Sequence, residues 1–161
     1  MYGWAAYAAV IGVQVALLLL VAYRRRSLHG LVRVIITSIP LGIALGVATD
    51  LILGAYLGVY GYYLPMSPLF LVVNGALAYG LMTATVRLIP LQPFLPFCAW
   101  AVLICAVYEL ANLAFPVWYW SFFENMIVME LLGIIAIYCG GALVMKVSWW
   151  LAARAGRRVL V

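Results

Sequence analysis

The chain alternates long apolar runs with short breaks that are charged or rich in proline. A helix needs about 20 predominantly apolar residues to cross a bilayer. Five runs meet that length, at roughly residues 3–22, 33–57, 68–88, 95–115 and 122–147. The breaks have identifiable causes. Arg24 to Gly30 is a charged turn, and "GYYLPMSP" carries Pro65 and Pro68. "IPLQPFLP" carries Pro90, Pro93 and Pro96, and "FPVWYW" sets Pro116 before a run of aromatic rings. Proline removes a backbone donor and interrupts the helical ladder, so these stretches are expected to be loops. The predicted fold is all-α: a single transmembrane domain over residues 1–161, built as an integral membrane five-helix bundle.

Charge orients the bundle. The nine basic residues are Arg24, Arg25, Arg26, Arg33, Arg87, Lys146, Arg154, Arg157 and Arg158. Five spans with the N-terminus outside and the C-terminus cytoplasmic put all of them on the cytoplasmic side, as the positive-inside rule asks. Four or six spans break that agreement. Positive charge follows the first apolar run, whereas in a signal peptide it precedes it, so this run is expected to be a retained helix. Tyr2, Trp4, Tyr60, Tyr62, Tyr63, Trp118, Tyr119 and Trp120 are expected to form an outer aromatic belt. Tyr23, Trp149 and Trp150 belong to an inner one.

Composition sharpens the class. The chain is 70% hydrophobic and 8% charged, which no soluble fold of this size can hide from water. The net charge of +5 comes from residues that flank apolar runs, so it points to anionic lipid and away from nucleic acid. Cys98, Cys105 and Cys139 sit in apolar runs without a C-x-x-C pair and are expected to be packing residues. His29 is the only histidine. No cofactor and no metal site is expected.

The candidate chemistry lies in the few polar residues within the spans. The acidic residues are Asp50, Glu109, Glu124 and Glu130, and none is cytoplasmic in this topology. Glu109 and Glu130 each lie about 9 Å from the outer interface. Asn112 is three residues from Glu109 and shares its helix face. Asn74 lies about two turns into the third span, and Gln14 is mid-span in the first. Intramembrane carboxyl groups are costly, so they face the bundle interior and suggest function. The candidate ligand-binding set is Asp50, Asn74, Glu109, Asn112 and Glu130. For an enzyme, the acid and base would be Glu109 and Glu130.

Asp50 has a further peculiarity. It fills the middle slot of a ladder formed by Gly42, Gly46, Gly54 and Gly58. Residues four apart wind slowly around a helix, so Gly42 and Gly46 are expected against one neighbour, and Gly54 and Gly58 against another. Between them Asp50 should point into the bundle, towards Glu109 or Asn74.

The stretch "DLILGAYLGVYGYYLPMSPLFLV", residues 50–72, resembles the membrane-embedded lycopene cyclase family through Asp50, Gly58, Tyr60, Leu64 and Pro65. That resemblance implies proton-driven chemistry on an isoprenoid, but Ser67 and Pro68 stand where the family has paired glutamates. The overall plan also resembles uncharacterised multi-helix proteins of spore-forming bacteria, through Asp50 to Leu53, Tyr60, Tyr62 and Trp118 to Trp120. This implies a bacterial cytoplasmic membrane and no particular activity.

No P-loop, G-x-S-x-G, H-E-x-x-H or Ser-His pair is present, so nucleophilic and metal hydrolysis lack their parts. Three readings stay open. The polar cluster binds or helps to transport a small molecule, ion or lipid. Alternatively, the chain is a structural or assembly subunit of a membrane complex. As a third option, it is an isoprenoid or lipid enzyme using intramembrane carboxylates. Expected partners are membrane lipids and either a second copy or a partner membrane subunit, with no nucleic acid.

Overall fold

The computed structural model describes residues 3–121 and 127–159, without the side chains of residues 127–131, 152 and 155–159. Glu124, Asn125 and Tyr2 therefore lie outside the described residues, as does the side chain of Glu130. Five helices are long and apolar enough to cross a membrane. They are α1 (Trp4–Arg24), α2 (Leu31–Tyr56), α3 (Pro68–Leu88), α4 (Phe94–Ala114) and α5 (Ile127–Val159). The third matches its expected span, 68–88, at both ends, and the others differ from theirs at the ends, because hydropathy does not fix where capping stops a helix. The largest difference is at the last helix, which runs on to Val159 and so outlasts its apolar stretch.

Helix α3 is the hub. It packs most extensively on α2 and also touches α1 and α5, while α4 packs against α1 and α5. Glycine makes the α2–α3 contact close. A Cβ on Gly42 would stand 2.4 Å from the Gly80 backbone, and one on Gly46 2.9 Å from the Cα of Gly75. Gly54 lies beside the Tyr60 ring at ordinary contact distance, whereas Gly58 faces open space with φ +61 at the helix end. The ladder thus divides into a packing half and a chain-turning half.

The outward faces are apolar: Leu69, Leu95, Leu110 and Leu113 are each more than 60% exposed. In water such surfaces would associate; hydrocarbon covers them without cost.

Two of the expected loops contain strands. β1 (Tyr60–Tyr62) pairs antiparallel with β2 (Trp118–Trp120), with Tyr60 opposite Trp120, Gly61 opposite Tyr119 and Tyr62 opposite Trp118. Proline flanks both segments without entering either, so the ladder donors survive. Tyr63 N donates to Val117 O at 2.9 Å and Ser121 N to Val59 O at 3.0 Å, which lengthens the pairing beyond the strands. This ribbon ties the end of α2 to the approach to α5 and caps one end of the bundle.

Candidate functional site

Under the ribbon sits Asp50, fully buried. Its Oδ1 accepts from the hydroxyls of Tyr60 at 2.7 Å, Tyr62 at 2.9 Å and Tyr79 at 3.0 Å. Its Oδ2 accepts from Asn74 Nδ2 at 2.9 Å. A second tier supports the first. Asn74 Nδ2 also reaches the Tyr62 hydroxyl at 3.0 Å, and the Tyr7 hydroxyl donates to Asn74 Oδ1 at 3.2 Å. Protons therefore point towards Asp50 from α3 and the ribbon, and α1 supports this set through the bond from Tyr7 to Asn74.

Four donors on one carboxyl group match an ionised carboxylate, which only accepts. Burying such a charge costs several kcal/mol. Hydrogen bonds to a charged group return about 1.5–3 kcal/mol each, so four offset that cost without a counter-ion. Burial pushes the Tyr60 and Tyr62 hydroxyls well above the ordinary tyrosine range, and neighbouring hydroxyls and Asp50 add to it. Both stay neutral and keep their protons for donation.

Local backbone geometry makes the convergence possible. Asp50 opens a π-helical turn over Asp50–Tyr56, and a second one runs over Gly75–Tyr79. In an α-helix, residues five apart point away from each other. Closing bonds from i to i+5 brings them closer to one face, which lets Asn74 and Tyr79 both reach Asp50. In the ribbon, side chains alternate, so Tyr60 and Tyr62 share one face with Trp118 and Trp120. That face looks into the bundle. Tyr119 lies on the other face, its ring over Gly61.

The inward face closes one side of a cavity of about 390 Å³, to which all five helices contribute. Aromatic rings dominate its wall: Tyr7, Tyr60, Tyr62, Tyr79, Tyr108, Tyr138, Trp118 and Trp120. Gln14 and Asn74 add amides. Gln14 is almost completely buried, and its Oε1 has no hydrogen-bond partner among the described residues.

The candidate residues whose side chains are described separate into three groups. Asp50 and Asn74 are bonded to each other, and Asp50 occupies the expected slot between the glycines. Glu109 stands apart from this pair. It accepts from Trp120 Nε1 at 3.3 Å and from the Tyr138 hydroxyl at 3.2 Å, and shares none of the donors on Asp50. Asn112 binds backbone: its Oδ1 accepts from the amides of Val117 and Trp118, and its Nδ2 donates to Trp118 O. It fixes the entry to β2. The backbone of Glu130 lies on α5, and its side chain is outside the described residues. Whether Glu130 faces Glu109, as an acid–base pair would require, therefore lies beyond what is described.

The tyrosines are the residues that hydropathy missed. Tyr60, Tyr62 and Trp118 were expected in an aromatic belt at the interface, but Tyr60 is buried and all three turn inwards. The triplets "YGY" and "WYW" carry an alternation that fits short strands and was the available signal. Tyr7 and Tyr79 had no such signal, because only packing brings them to Asp50.

At the opposite end of the bundle, two cations hold backbone. Arg87 Nη1 donates to Val34 O, Thr37 Oγ1 and Ser38 Oγ at 2.7–2.9 Å, and the Arg87 guanidinium lies 3.2 Å from the centre of the Trp149 ring. Lys146 Nζ donates to the carbonyls of Val86, Arg87 and Ile89. These carbonyls lie at the C-terminus of α3, where the last helical acceptors lack i+4 donors, and Val86 O also accepts from Ile89 N at 3.2 Å.

No family model, curated protein or solved structure matches the chain. The site therefore has to be read from its own geometry. Among the described residues, no group of three or more His, Cys, Asp or Glu is placed to hold a metal ion.

Proposed function

We propose that the protein is a membrane-embedded binding protein that takes up a small, largely apolar molecule in the cavity beneath the ribbon. The supporting observation is the cavity itself. Its volume of about 390 Å³ falls in the range of small-molecule sites, and its wall combines apolar surface with a few convergent polar groups. Packing alone gives no reason for such a space, since helical interiors fill to crystal-like density. In this reading the N-terminus and the ribbon lie outside, and the basic end faces the cytoplasm of a bacterial cell. The nine basic residues support that orientation through the positive-inside rule. Binding on the outer side suits capture of a molecule from outside or its hand-over to a partner subunit.

Trp118 and Trp120 line the cavity and report on its contents. The test is a fluorescence titration of the protein in lipid nanodiscs with small neutral, cationic and anionic aromatic probes. A saturable response to at least one probe is expected. It should weaken at least tenfold in Gly141→Leu, because Gly141 lines the cavity and a Cβ there meets nothing within 4 Å. Absence of a saturable response to every probe would sink the reading.

A further inference from the structure

We infer that the ligand is an apolar organic cation, an ammonium-type group carried on a hydrophobic body. The inference rests on the cavity-binding reading above and names its substrate class. Three independent features of the cavity converge on positive charge.

The first is the direction of the hydrogen bonds. The hydroxyls of Tyr60, Tyr62 and Tyr79 all lie within donating distance of Asp50 Oδ1, Tyr60 and Tyr79 also lie 3.3 Å from each other, and Tyr7 donates to Asn74. All four tyrosines line the cavity. With their protons taken up within this cluster, these hydroxyls offer oxygen lone pairs and no donor. A carboxylate or phosphate, which needs donors, is not served by these four hydroxyls.

The second is the charge behind this wall. Asp50 is buried, and its four donors are all neutral groups, the setting of a carboxylate that accepts and is not neutralised by a counter-ion. Hydrogen bonds stabilise the charge without cancelling it. Its field extends into a poorly screening cavity, where a cation is attracted far more strongly than in water.

The third is the wall material. Tyrosine and tryptophan rings carry negative faces, and they bind ammonium groups within about 6 Å of the ring centre. Gln14, at 3% exposure, adds a carbonyl oxygen that has no hydrogen-bond partner among the described residues. Nothing on the wall supplies a counter-charge for an anion. Arg87 and Lys146 are bonded at the other end of α3 and α5, and neither is a lining residue.

The test compares two probes of nearly equal shape in lipid nanodiscs, with partitioning into protein-free nanodiscs subtracted. Benzyltrimethylammonium carries a permanent charge, and neopentylbenzene is its neutral carbon isostere. The cation should bind at least tenfold more tightly. Asp50→Asn should weaken the cation at least tenfold and leave the isostere within twofold. If Asp50→Asn does not fold, Trp118→Leu removes a ring that makes no side-chain bond to Asp50, and it should weaken the cation at least threefold more than the isostere. Equal binding of the two probes overturns the cation assignment and leaves the cavity reading standing. The same holds if both weaken alike in the folded variant, or if phenylmethanesulfonate binds more tightly than the isostere. No saturable binding of any of the three overturns both.

Discussion

The two ends of the bundle carry groups of opposite charge type and use them differently. At the basic end, Lys146 donates to carbonyls at the C-terminus of α3, and Arg87 donates to Val34 O and to the Thr37 and Ser38 hydroxyls of α2. Those bonds tie α3 to α2 and α5, and both side chains remain partly exposed. At the ribbon end, Asp50 is fully buried and draws donors from four side chains that converge on it. A cation that caps a helix end mends a local deficit of the fold. An anion surrounded by four side-chain donors beside a cavity mends no deficit, because without it the donors would not be needed. The difference teaches that the basic end holds the bundle together and the ribbon end is organised around a charge.

Four substitutions test that contrast. The largest effect is expected from Asp50→Leu, which strands four donors in an apolar interior at about 1–3 kcal/mol each. The folded protein should be lost or severely destabilised in detergent, as read by thiol labelling of Cys105, which is buried in the native fold. A well-folded Asp50→Leu protein would mean that the tyrosines find other partners and that the ribbon end does not depend on the charge.

Next in size is Gly42→Leu, which affects both ends through the helix pair between them. Any Cβ at this position meets backbone at 2.4 Å, so α2 and α3 must separate. Overpacking of this kind costs about 1–3 kcal/mol. The same labelling assay should show a loss smaller than that of Asp50→Leu. Unchanged stability would show that the α2–α3 contact is looser than drawn.

Arg87→Lys should cost less, about 1–2 kcal/mol, because charge is kept while the planar contact with Trp149 and the multiple donation are lost. Thermal unfolding followed by circular dichroism measures it. Probe binding at the ribbon end should stay within twofold, and a larger change would tie the two ends together functionally.

Glu109→Gln should have the smallest effect, under about 1 kcal/mol, since an amide oxygen still accepts from Trp120 and Tyr138. Its thermal midpoint should lie close to that of the unaltered protein. A drop as large as that of Asp50→Leu would place a second essential charge at this end.

Parts of the site were legible in the sequence and parts were not. Asp50 stood out because a carboxyl group in a glycine ladder within an apolar run is costly and has to be compensated. Asn74 was legible for a similar reason, as an amide at the same depth. Glu109 and Asn112 looked like members of the same cluster, since depth and helix face are one-dimensional properties. Their partners are not: Asn112 turned to the ribbon backbone, and Glu109 turned to Trp120 and Tyr138. The ribbon was hidden by its prolines, which mark a break in a helix but do not exclude a short strand between them.

The sequence by itself determined that five helices are long and apolar enough to cross a membrane, and where charge must be compensated. Hydropathy and charge act residue by residue along the chain, so a linear pattern records them. Only the tertiary structure decided which groups compensate which. The donors on Asp50 come from 10, 12, 24 and 29 residues away. They converge because two strands pair, two π-helical turns shift the register, and glycines let α2 and α3 approach. Hydrogen bonds form over about 3 Å, and at that range a change of one residue in register replaces every partner.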